Sequence, residues 1–118
     1  MGKNEKLVDF SSLTEMLYGE TKYITEFADA ALISFTEFQE NYRTFLLQRD
    51  EVNFRKAGHK IKPVAQMLGL GLIIEEYEHA KTLIWETKPE SDLKESSKKM
   101  DSICMQVCKE LRDISAES

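Results

Sequence analysis

The chain has 118 residues, of which 42% are hydrophobic and 31% charged, the balance of a globular protein with a single core. Its net charge of −5 argues against nucleic acid as a partner, because binding a phosphate backbone requires clustered Lys and Arg. The longest apolar run, Leu68 to Ile74, contains two glycines and is too short for a bilayer; residues 1–9 lack the apolar core of a signal peptide. A cytoplasmic location and no membrane partner are therefore expected.

With five glycines, two prolines and no sustained period-2 alternation, the chain reads as helical almost throughout. Ser11 or Ser12 can cap a short first helix over 11–17, with Glu15 as the acidic partner of a capping box. Gly19 punctuates it. A second helix over 21–48 carries a stripe of Ile24, Phe27, Ala28, Ala31, Phe35, Phe38, Tyr42 and Phe45, spaced as a core face. Asp50 is a plausible N-cap for a third helix over 51–68. Gly69 and Gly71 bracket the turn into a fourth, 71–87, whose Leu72, Ile73, Tyr77, Ala80 and Ile84 are expected to face inward. After Lys88-Pro89-Glu90, Ser91 suits the cap of a final helix, 91–115. Its inner stripe is Leu93, Met100, Ile103, Cys104, Val107, Leu111 and Ile114, and its outer face carries Lys94, Lys98, Lys109 and Arg112. The expected fold is all-α: an antiparallel up-and-down four-helix bundle preceded by a short helix, one domain over residues 1–118.

The third helix is the strongest candidate for carrying chemistry. At about 100° per residue, Phe54, Ala57, Ile61, Val64, Ala65 and Leu68 gather on one side, and His59 lies about 180° from their centre. Arg55, Lys62 and Gln66 fall on the same outward side. A histidine used for packing would sit among the apolar residues. One aimed at solvent between cations is suited to accept a phosphoryl group: a neutral imidazole attacks, and positive charge stabilises the incoming oxyanions. Lys62 at i+3 and Arg55 at i−4 are each one turn away, and Gln66 can donate a hydrogen bond. Gly58 and Ala57 keep the neighbouring bulk small, which would admit another protein's surface.

This segment resembles the histidine-phosphotransfer (HPt) domains of multistep two-component relays, whose motif has Lys three, Gly four and Gly ten residues after the histidine. His59, Lys62 and Gly69 match, Ile61, Leu68 and Leu70 fill the expected apolar positions, and Asp50 sits where such helices often begin. Pro63 stands where glycine is usual. Lacking an N–H, it leaves the His59 carbonyl without its i+4 donor and is expected to kink the helix beneath His59, which bears on docking more than on the imidazole. The resemblance implies a phosphocarrier rather than an enzyme, with His59 as phosphoacceptor and Lys62 stabilising the phosphoryl group. Arg55, Lys60, Pro63, Gln66 and Gly69 would contribute to binding. It also implies partners: response-regulator receiver domains, which would bring the Mg²⁺, and a hybrid sensor histidine kinase. No cofactor of the chain's own is expected. The alternative is a non-catalytic helical adaptor that binds a receiver or a partner helix.

Other constellations carry less. Glu76 and His79 have the E-x-x-H spacing of di-iron bundles, but the second such pair that a dinuclear site needs is missing, so a solvated acidic face is expected over Glu75, Glu76 and Glu78. Glu78 is placed to accept a hydrogen bond from the His59 ring. Cys104 and Cys108, four apart on one helix, suit buried free thiols better than a disulfide or zinc site. Gly69-Leu70-Gly71-Leu72 lacks the Lys and Ser/Thr of a phosphate-binding loop, so no nucleotide site is expected.

Overall fold

The computed structural model describes residues 6–117, and these form five α-helices and no strand: α1 (Phe10–Met16), α2 (Thr21–Leu47), α3 (Glu51–Met67), α4 (Gly71–Trp85) and α5 (Glu90–Glu117). Residues 1–5, part of the stretch read above for a signal peptide, and Ser118 lie outside the described residues. The helices match the expected ones to within two residues at every end. Among the described residues, no helix is long and apolar enough to cross a membrane.

Four of the five helices stop in the same way. The first residue to turn left-handed after α1, α2, α3 and α4 is Tyr18 (φ 57°), Arg49 (φ 56°), Gly69 (φ 68°) and Thr87 (φ 55°), and after α1 Gly19 (φ 69°) follows in the same conformation. In each case its N–H and the next one bond back to the last turn, as in Gly69 N–H to Gln66 O at 3.2 Å and Leu70 N–H to Ala65 O at 2.8 Å. These double bonds satisfy carbonyls the helix leaves open. Of these five left-handed residues, two are glycines.

Two caps differ from expectation. Asp9, not Ser11 or Ser12, begins α1, its Oδ1 accepting from the Ser12 N–H at 3.0 Å. Those bonds hold the Asp9 carboxyl below the usual carboxylate range. Ser91 lies inside α5, which starts at Glu90 directly after Pro89. Asp50 caps α3 as read, accepting from the Asn53 N–H at 3.2 Å and its Nδ2 at 2.8 Å. The same bonds lower its pKa.

Helix α2 packs on α5 and on α3, α3 on α4, and α4 on α5, forming a helical bundle around one apolar cluster. Phe38, Tyr42, Phe54 and Tyr77 run through it as an aromatic series with centroids 5.0 to 5.5 Å apart, crossing from α2 to α3 to α4. The stripes read from the sequence supply most of this core. Phe27, Phe45, Val64, Ile84, Ile103 and Ile114 pack only at its margin, and Leu46 and Leu83 are buried in addition. Leu72 is not inward: it is 50% exposed, because it stands beside a gap between α4 and α5. The acidic end of the fourth helix also divides. Glu76 is buried, receiving Ser96 Oγ at 2.6 Å and Lys99 Nζ at 3.2 Å, with the Tyr42 hydroxyl 2.8 Å from Ser96.

Candidate functional site: the outward face of α3

The apolar face of α3 fixes what its other side presents. Phe54, Ala57, Ile61 and Ala65 are buried, so the opposite side carries His59, exposed, with Val52, Lys56, Pro63 and Gln66 also exposed along it. Among the described residues, no hydrogen bond or ion pair engages the His59 side chain. Pro63 lies inside α3, which continues to Met67, so the proline does not end the helix. Beneath it the His59 carbonyl has no i+4 N–H.

The cations around His59 are mostly engaged elsewhere. Arg55 reaches back along its own helix to Glu51, with Nε and Nη2 3.1 and 3.0 Å from Oε2. Lys60 crosses to Glu37 of α2 at 2.6 Å. Lys62, half-buried, pairs with Glu78 Oε2 at 3.3 Å, and Lys81 holds the other oxygen of that carboxylate at 2.9 Å. The Lys81 hydrogen bond, with Lys62 behind it, keeps the Glu78 carboxyl below its ordinary value. Glu78 thus bonds to two lysines rather than to the His59 ring. Lys81 also stands 5.2 Å from the Tyr77 ring centroid.

Gly58 and Ala57 do not open the surface to a visitor. Both are buried, and a Cβ on Gly58 would fall inside the Tyr77 ring. The ring lies against α3 because the glycine lets it, with the Tyr77 hydroxyl 3.4 Å from the Arg55 carbonyl. Gly69 is likewise part of the scaffold. It closes α3 with φ 68°, its missing Cβ leaves room for Asp9, and it lies ten residues from His59, about 15 Å of helix. His59, Lys62, Pro63 and Gln66 therefore share one exposed region, whereas Gly69 sits at the helix end.

Three neighbours escaped the sequence reading. Lys56, at i−3, is exposed and makes no ion pair among the described residues, and its charge helps lower the Asp50 carboxyl. Val52 is 66% exposed one turn beyond it. Trp85, 74% exposed, borders a surface recess with Arg55, Glu78, Lys81 and Thr82 at the α3–α4 seam. The chain's sole tryptophan, four residues after a lysine at the end of a helical pattern, was the available signal. Comparison with protein-family models, curated proteins and solved structures gives no match.

Proposed function

We propose that this chain is a histidine-containing phosphotransfer protein that relays a phosphoryl group between receiver-domain aspartates through His59. The observation that carries the reading is an imidazole exposed on the outward face of α3, unengaged among the described residues, with Lys62 one turn on. We further propose the HPt-like arrangement for the bundle: α2 to α5 antiparallel and up-and-down, with α1 as a short addition. Connections of only residues 48–50, 68–70 and 86–89 support that topology.

In this mechanism the lone pair of His59 Nε2 attacks the phosphorus of a receiver's aspartyl phosphate in line. The N–P bond forms as the acyl O–P bond breaks, and the aspartate leaves as carboxylate. The proton on Nδ1 passes to solvent. Lys62 turns from Glu78 toward the phosphoryl oxygens, which carry more charge than one carboxylate, and Lys56 lies one turn on the other side. The reverse attack, by a second receiver's aspartate, discharges the histidine. The receivers bring the metal ion, and the chain provides a nucleophile and a docking face spanning α3 and neighbouring parts of α2.

Incubation with a radiolabelled phospho-receiver tests the proposal. An acid-labile, alkali-stable label on the wild type, absent from His59→Ala, is the expected result. Equal labelling of His59→Ala, or no labelling of either protein, would contradict it. Lys62→Ala should remain folded and slow transfer by about tenfold, equivalent to ~1.4 kcal/mol of transition-state stabilisation. The adaptor reading has one observation in its favour, the engagement of Arg55, Lys60 and Lys62 by carboxylates. Unlabelled protein that still binds the receiver is its signature.

A further inference from the structure

On the far side of α4 from α3, the seam between α4 and α5 opens into a groove of about 750 Å³. Its lining is mixed: Leu83 is buried, Ile103 partly buried and Leu72 half exposed, with the buried Glu76 and Ser96 beside them. Past Leu72 the groove runs into a smaller recess of about 170 Å³ beside Leu7 and Leu70. From Leu72 to Leu83 the floor extends about 16 Å, three turns of a helix. Glu75 on one wall and Asp92 and Glu95 on the other make no ion pair among the described residues. The lysine on those walls, Lys99, is already held by the buried Glu76 at 3.2 Å, and His79 is exposed nearby.

We infer that this groove docks a basic amphipathic helix of a partner protein. An amphipathic helix lays apolar side chains spaced i, i+3 or i+4, and i+7 into such a trough, and here its flanking Lys and Arg would meet Glu75, Asp92 and Glu95. The free carboxylates select the sign of the partner, and Leu72 together with Leu83 and Ile103 offers apolar contact that a simple polycation would not use. Anionic lipid and nucleic acid are repelled by the same charges. A second copy offers a poor match through α5: its outer face has Lys94, Lys98, Lys109 and Arg112 but, among the described residues, only Met105 as a large exposed apolar side chain. The groove shares no residue with the His59 face, so this inference does not rest on phosphotransfer.

The full chain can be used to select peptides of about 16 residues, long enough for four turns, from a random display library. The expected winners carry an apolar stripe at helical spacing flanked by Lys or Arg. A fluorescent synthetic copy should bind at least tenfold more weakly to Glu75→Lys and Glu95→Lys, and more weakly as salt rises. Backbone amide shifts in the wild type should map to α4 and α5. Leu72→Asp should also lose binding, whereas His59→Ala should keep it. Because all three altered groove residues are exposed, circular dichroism is expected to show each variant folded, and any one that folds suffices for the comparison. Failure to enrich peptides, winners without the basic pattern, shifts mapping elsewhere, or spermine binding as tightly as the peptide would each overturn the inference. So would self-association of the protein through this groove.

Discussion

At the scale of single residues, Gly58 has the clearest consequence. Replacing a glycine inside a helix by alanine ordinarily gains about 1 kcal/mol of helix propensity. Here the added methyl collides with the Tyr77 ring, and overpacking of this kind costs about 1–3 kcal/mol. Urea denaturation should therefore find Gly58→Ala less stable than wild type, and Gly58→Ala/Tyr77→Leu less destabilised than the two single changes added together. The sequence placed Gly58 beside His59 but gave no hint of its neighbour. A helical wheel assigns direction, and a residue without a side chain leaves no mark of what lies against it. The left-handed helix ends had a similar problem. Gly19 and Gly69 announced their turns, while Arg49 and Thr87 reach the same conformation without the residue type that normally signals it.

At the scale of an element, α3 combines a continuous apolar face with an interruption. Pro63 removes one backbone bond from the middle of the helix, directly under His59. Pro63→Ala should restore it and raise stability by about 1–3 kcal/mol, read from the denaturation midpoint, with His59 still exposed. The Glu78–Lys62–Lys81 cluster sets a second expectation. The Glu78 carboxyl is depressed in the folded protein, so its contribution to stability is present above the ordinary carboxylate range. It is lost as pH falls through the lowered value. Glu78→Gln should flatten the acid side of the stability profile without moving it near neutrality by much, because the cluster is partly open to solvent, which screens it. Under the proposed mechanism the same variant releases Lys62, and transfer should be at least as fast as in the wild type. The cluster was half legible: Lys62 was singled out by spacing from His59, but the carboxylate holding it comes from another helix, and only packing brings the two together. Leu72 failed for a related reason, since its periodic position was read as inward and the partner surface needed to cover it is not there.

At the scale of the whole molecule, the number, order and bounds of the helices were readable because stripes at spacings of three and four persist across each one. The seams between helices were not. Glu110 shows what a seam can hide: buried in α5, it accepts the N–H groups of Leu7 and Val8 and pins the segment before α1. Nothing in an isolated helical pattern marks that carboxylate as internal. Cys104 and Cys108, read as core thiols, are buried and unpaired, and burial pushes the Cys104 thiol up to about 12. A thiolate reagent should leave Cys104 unmodified in the native protein and react only as fast as the bundle opens globally. Modification that outpaces unfolding measured by circular dichroism would mean that α5 detaches locally.

The central claim concerns one side chain, and mapping the modified site tests it most directly. After incubation with a phosphorylated receiver, fragmentation mass spectrometry under neutral to alkaline conditions should locate the phosphoryl group on His59. A phosphoryl group on His79 or any other residue, or a chain left unmodified while the receiver loses its phosphate only to water, would contradict the account.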